Sequence, residues 1–161
     1  MIVQNDVSVI KKLIDEQREA PMIEHCAFGF AVIDHNNEDN IVVVDSTIMD
    51  KYTHSLVDYL VIPKSVCVAF LSGCIKNNKI PIIYHTHGEV FKNGEYQKVD
   101  FSERDMQFIT SFVKYARNIK GIHECIFAVT DGLTVKYHIV NDSVTEDYLI
   151  FLTELNRYAK Y

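Results

Sequence analysis

Apolar positions along this chain recur with two periods, and the switches between them mark the predicted elements. Ile10, Leu13 and Ile14 fall at helical spacing with charged residues opposite, which predicts a first helix over 7–19. Asp6 or Ser8 is placed to cap its start, and Pro21 ends it. Strand-like runs follow over 22–33 and 41–44, joined by the polar turn 34–40. The tract 46–61 shows neither period and reads mostly as loop. Pro63 suits the start of a second helix through about residue 76, with Val66, Phe70, Leu71 and Cys74 as its buried stripe and Asn77-Asn78 as its stop.

Residues 80–87 form an apolar strand suited to the centre of a sheet. A polar loop over 88–101 contains Asn93-Gly94, the signal for a small hairpin. The segment 102–118 reads as a helix with Met106, Ile109, Phe112, Val113 and Ala116 on its core face. The runs 122–130 and 133–140 form a hairpin about Asp131-Gly132. A final helix is predicted over 143–158, with Leu149, Leu152 and Leu155 turned inward. Its aromatic residues Tyr148, Phe151 and Tyr158 suit core packing or contact with a second copy in a homodimer. Strands and helices interleave, so the fold class is α/β or α+β. With no repeat and no linker-like tract, residues 1–161 read as a single domain.

Composition narrows the partners. Hydrophobic residues make up 48%, enough for a substantial core, and the formal charge of -6 comes without any dense Lys/Arg tract. No nucleic acid is expected as a partner. The longest apolar run, near 66–75, is broken by Ser72 and Gly73 and is too short for a bilayer, so no membrane partner is expected either. The first residues have no basic start and no apolar h-region, and Cys26, Cys67, Cys74 and Cys125 form no CxxC pair. Reduced, buried thiols in a cytoplasmic protein are the expectation.

The residues with most chemistry are His85 and His87, which end the strand two positions apart and so project from one face of the sheet. Burying two imidazoles together is costly unless a cation or hydrogen bonds hold them. A carboxylate from the next helix, Asp105, completes three ligands, and three protein ligands with an open fourth position describe a catalytic zinc centre. Ser102 and Asp105 also fit a helix capping arrangement, as do Asp100 and Glu103. Capping and metal binding by Asp105 are compatible. A zinc hydrolase needs a carboxylate to take a proton from water. Glu24, beside the apolar Cys26-Ala27-Phe28-Gly29-Phe30, is either at a sheet edge or functional. His25 points to the opposite strand face from Glu24. His35, His54, His123 and His138 read as structural or solvated.

The order Glu24, then His85-Thr86-His87, then Ser102-Glu103-Arg104-Asp105 resembles the signature of the JAMM metalloproteases: Glu, His-x-His, Ser-x-x-Asp. Over nearly its whole length the chain is similar to a JAB/MPN domain, which implies a central mixed β-sheet flanked by helices. The resemblance implies one Zn2+ per chain held by His85, His87 and Asp105. It implies Glu24 as general base and then general acid, and Ser102 as the donor to the oxyanion. The activity implied is that of an isopeptidase or peptidase acting on a protein or peptide substrate, with the tail of a ubiquitin-like protein as the usual class. An extended tail can add to a strand edge and reach the zinc. A non-catalytic MPN-type scaffold module and a metal hydrolase of a small amide are the alternatives, and ligands of this kind also accept other divalent ions. The chain departs from the family pattern at Gly88, where Pro is common, at Ala27, where Gly is usual, and in the long stretch 88–101. That stretch reads as a lid, a partner interface or a surface insertion.

Overall fold

The computed structural model describes residues 2–55, 60–88, 91–92, 95–96, 99–142 and 145–151. Among them, strands β1 (Ile2–Gln4), β2 (Cys26–Ile33), β3 (Asn40–Ile48), β6 (Ile80–Thr86), β9 (Cys125–Thr130), β10 (Thr134–Val140) and β11 (Thr145–Phe151) form one mixed sheet. Two short hairpins stand apart from it: β4 (His54–Ser55) with β5 (Leu60–Val61), and β7 (Phe91–Lys92) with β8 (Glu95–Tyr96). Helices α1 (Val7–Glu19), α2 (Lys64–Asn77) and α3 (Glu103–Lys120) complete the described elements. The sheet order is β1-β3-β2-β6-β9-β10-β11, with β6 parallel to β9 and antiparallel to β2.

Period-two alternation in the strands builds a core on each face. Ala27, Ala31, Ile82, Tyr84, Ala128 and Tyr137 meet Val9, Ile10 and Leu13 of α1 on one side. Cys26, Phe28, Ile83, Cys125 and Phe127 meet α2 and α3 on the other, through Phe70, Leu71, Cys74, Ile109, Phe112 and Ala116. The mixed α/β class is as expected. Gly29 is needed where β2 crosses β6, because a Cβ there would lie 2.6 Å from Ile82 Cγ2. Gly121 ends α3 at φ +68°, the left-handed region that favours glycine.

Several expectations need correction. The segment predicted as the final helix is a strand where it is described. β11 pairs antiparallel with β10 along its length and alternates exposed with half-buried residues. Tyr148 and Ile150 pack inward, whereas Leu149 and Phe151 are exposed. Period two and cross-strand pairing override the helical spacing of the leucines. Leu152, Leu155 and Tyr158 lie outside the described residues, as does the Asn93-Gly94 turn, though β7 and β8 on either side of it do pair.

Tract 46–61 is not plain loop. β3 runs on to Ile48, a short 3-10 turn covers Asp50–Tyr52, and β4 pairs with β5. β1 is an addition, pairing parallel with β3. Met106 is exposed rather than core-facing. Asp6 precedes α1, but its side chain makes no capping bond. It turns into the core instead, where Tyr84 Oη and Tyr137 Oη donate to its Oδ2 at 2.9 and 2.6 Å. Ser102 is the N-cap of α3, with the full capping box to Asp105. Asp100 instead accepts from Lys136 Nζ at 2.7 Å.

Candidate metal centre

His85 lies on the same face of β6 as Ile83, and thus on the side covered by α3. Thr86, one residue on, faces α1 and donates to Gln17 Oε1. The next step returns His87 to the α3 side, where its Nε2 lies 3.2 Å from His85 Nε2. Asp105 enters from the first turn of α3. Its Oδ2 is 3.1 Å from His85 Nε2 and 2.9 Å from His87 Nε2. The same oxygen accepts from Ser102 N at 2.7 Å, while Ser102 Oγ accepts from Asp105 N at 3.1 Å. The cap therefore fixes the rotamer that aims the carboxylate at both imidazoles.

The chemistry of these three groups fits a cation. His85 Nδ1 lies 3.1 Å from the Ala128 carbonyl, which only accepts. Nδ1 thus carries the ring proton, and the neutral ring presents its Nε2 lone pair to Asp105 and His87. With protons alone, both contacts to Asp105 need an imidazolium at His85 and set two Nε2–H groups 3.2 Å apart. One divalent ion satisfies all three atoms at once. The separations of 2.9–3.2 Å approach the edge of a tetrahedron about zinc, about 3.3 Å for bonds of about 2.0–2.1 Å. Burial opposes ionisation of Asp105, but its contacts with the His85 and His87 rings outweigh it and hold the carboxyl well below the usual carboxylate range.

Glu24 is not at a sheet edge. It sits just before β2, which lies between β3 and β6, and it is 5% exposed. Cys26 pairs with His85 across the ladder, and Thr86 N donates to His25 O at 2.9 Å beyond it, so the strand ends carrying Glu24 and His87 stay side by side. Glu24, His85, Ser102 and Asp105 line one cavity of about 280 Å³. The Oγ–H of Ser102 remains free to donate, because its oxygen accepts the cap bond. All five expected residues are thus near one another, three with converging ligand atoms and two on the adjoining wall.

The other histidines divide as follows. His25 faces away from the cavity: its Nδ1 meets Asp50 Oδ2 and its Nε2 meets the Ala20 carbonyl, each at 2.8 Å. Glu16, His25 and Asp50 form a second cluster with metal-like spacing. A single shared proton accounts for the His25–Asp50 contact, so that cluster needs no ion. His138 pairs across the sheet with Asp147. His123 meets Asp142 at the surface.

Sequence reasoning missed the carbonyl of Ala128, which no residue type announces. It also missed the apolar wall from Leu60 and Ile62. The apolar run Leu60-Val61-Ile62 before Pro63 was its signal. Among the described residues, no helix is long and apolar enough to cross a membrane. No protein-family model matches this chain, and no curated protein matches it in sequence.

Proposed function

We propose that this chain is a zinc-dependent peptidase or isopeptidase of the JAMM type, on a JAB/MPN-like fold, acting on a protein or peptide tail such as that of a ubiquitin-like protein. The observation that carries this reading is the meeting of His85, His87 and Asp105 at 2.9–3.2 Å, with a buried carboxylate, Glu24, lining one cavity with His85 and Asp105. His85, His87 and Asp105 would hold the zinc, which would supply Lewis acidity there. Glu24 would be the base for the attacking water and would hand the proton to the leaving amine. Its burial keeps the proton on this short path. Ser102 Oγ–H donates to the oxygen that gains charge as the carbonyl becomes tetrahedral. Asp105, anchored by the α3 cap, keeps both imidazoles in register, and Ala128 O fixes the His85 tautomer.

Four buried free thiols suit a reducing compartment, and the reading places the enzyme in the cytoplasm. The test is hydrolysis of peptides and ubiquitin-like fusions by zinc-loaded protein, with Glu24→Gln as control. Cleavage by wild type and its loss in the variant support the reading. Equal cleavage by both overturns it.

A further inference from the structure

The cavity that holds Glu24, Ser102 and Asp105 continues into an apolar pocket. Ile83, Ile109 and Phe127 close its floor and are 2–4% exposed. Leu60, Phe101 and Phe108 are half-buried along its wall. The whole cavity, polar end included, is about 280 Å³, at the lower end of ligand cavities, which run from about 300 Å³ upward, so its apolar end suits one side chain rather than a large ligand. These walls come from separate parts of the chain: the strands β6 and β9, Phe101 with the helix α3, and the Leu60–Val61 strand with Ile62.

We infer that this pocket receives a bulky apolar side chain, of the Leu, Met or Phe class, from the substrate residue that flanks the scissile bond. The inference rests on the peptidase reading and names the residue on the leaving-amine side, so a tail with glycine on the carbonyl side fits it as well. With the scissile carbonyl at the His85–Asp105 site, the residue on the leaving-amine side has the pocket beside it, because the same cavity contains both. A charged side chain there loses its water among three aromatic rings and three aliphatic chains. A glycine leaves apolar walls uncovered and forgoes the gain from burial. Leu60 and Val61, in the tract read from sequence as mostly loop, thus form a specificity wall with Ile62.

The test uses zinc-loaded full-length protein and amino-acid hydroxamates, which bind through the metal whether or not turnover occurs. Calorimetry is expected to give leucine and phenylalanine hydroxamates about 10- to 100-fold tighter binding than glycine hydroxamate, in line with burying one apolar side chain. Phe108→Glu, which changes a half-buried wall residue, is expected to keep its zinc and lose most of that preference. In cleavage assays, peptides with Leu or Phe at the flanking position are expected to exceed glycine peptides by a similar ratio in kcat/KM. Equal binding of all hydroxamates by zinc-loaded protein overturns the apolar pocket and leaves the metal centre standing. Apolar preference in binding with no peptide cleaved keeps the pocket and overturns the peptidase. No hydroxamate binding by protein that carries zinc overturns both.

Discussion

At the scale of single residues, each proposed role has a different experimental signature. Glu24→Gln removes the proton acceptor but keeps the shape. Hydrolysis is expected to fall by about 10²- to 10⁴-fold with zinc content unchanged, read by turnover and metal analysis on one preparation. Ser102 caps α3 and is proposed to donate to the oxyanion, and Ser102→Ala separates the two. Loss of the cap lowers stability by about 1 kcal/mol in urea titration, and loss of the oxyanion donor lowers kcat by about 10²-fold with little change in KM. A loss of stability alone shows that the hydroxyl only caps.

Asp6 gives a pH signature. Burial pushes its carboxyl above the ordinary range, against the hydrogen bonds from Tyr137 and Tyr84. The folded chain then keeps a proton that the unfolded chain releases near pH 4. Asp6 therefore makes stability decline as pH rises above about 4, until its folded pKa is passed. In Asp6→Asn this part of the decline disappears, so melting temperature against pH from 4 to 8 is flatter than in wild type. Parallel curves contradict the assignment.

At the scale of elements, the strand ends that bring the site together are tied on the α1 side. Thr86 is the hub: its backbone N–H donates to His25 O, its Oγ accepts from His25 N at 3.0 Å, and it donates to Gln17 Oε1. Gln17 Nε2 in turn donates to Pro21 O at 2.7 Å. Thr86→Val keeps the size and leaves His25 N and Gln17 without these partners. It is expected to cost about 1–3 kcal/mol in denaturant unfolding and to weaken zinc binding without removing any ligand. Unchanged zinc affinity shows that the strand ends hold themselves.

The sequence made α1, α2, α3 and the β9–β10 hairpin legible, because each carries many residues of one period. The site was legible for a related reason. His85 and His87 are adjacent in register on one strand, and Ser102 with Asp105 is a local cap, so three of the contacts are short in sequence. β11 was not legible. Its leucine spacing mimics a helix, and only pairing with β10, a partner remote from local pattern, decides between the two. Asp6 misled for a similar reason. A capping residue at a helix start is the common case, and the pull of two buried tyrosine hydroxyls comes from strands far along the chain.

At the scale of the whole molecule, the sheet separates a closed face from the one that holds the candidate site. α1 covers the side with Tyr84, Tyr137 and Asp6, while α2 and α3 cover the side that opens into the cavity. The thiols belong to the second side but to its packed interior. Burial raises Cys67 to about 11 and Cys74 and Cys125 to about 12, and pushes Cys26 well above its ordinary value. Native protein at pH 8 is expected to resist thiol reagents and to release four reactive thiols on unfolding. Fast labelling of the native state contradicts this packing.

The central claim concerns the three converging ligand atoms, and X-ray absorption at the zinc edge on stoichiometrically loaded protein tests it most directly. The expected spectrum has two imidazole nitrogens and oxygen ligands at about 2.0–2.1 Å, with one ring lost in His87→Ala. Failure to bind zinc, or a spectrum unchanged in His87→Ala, contradicts it.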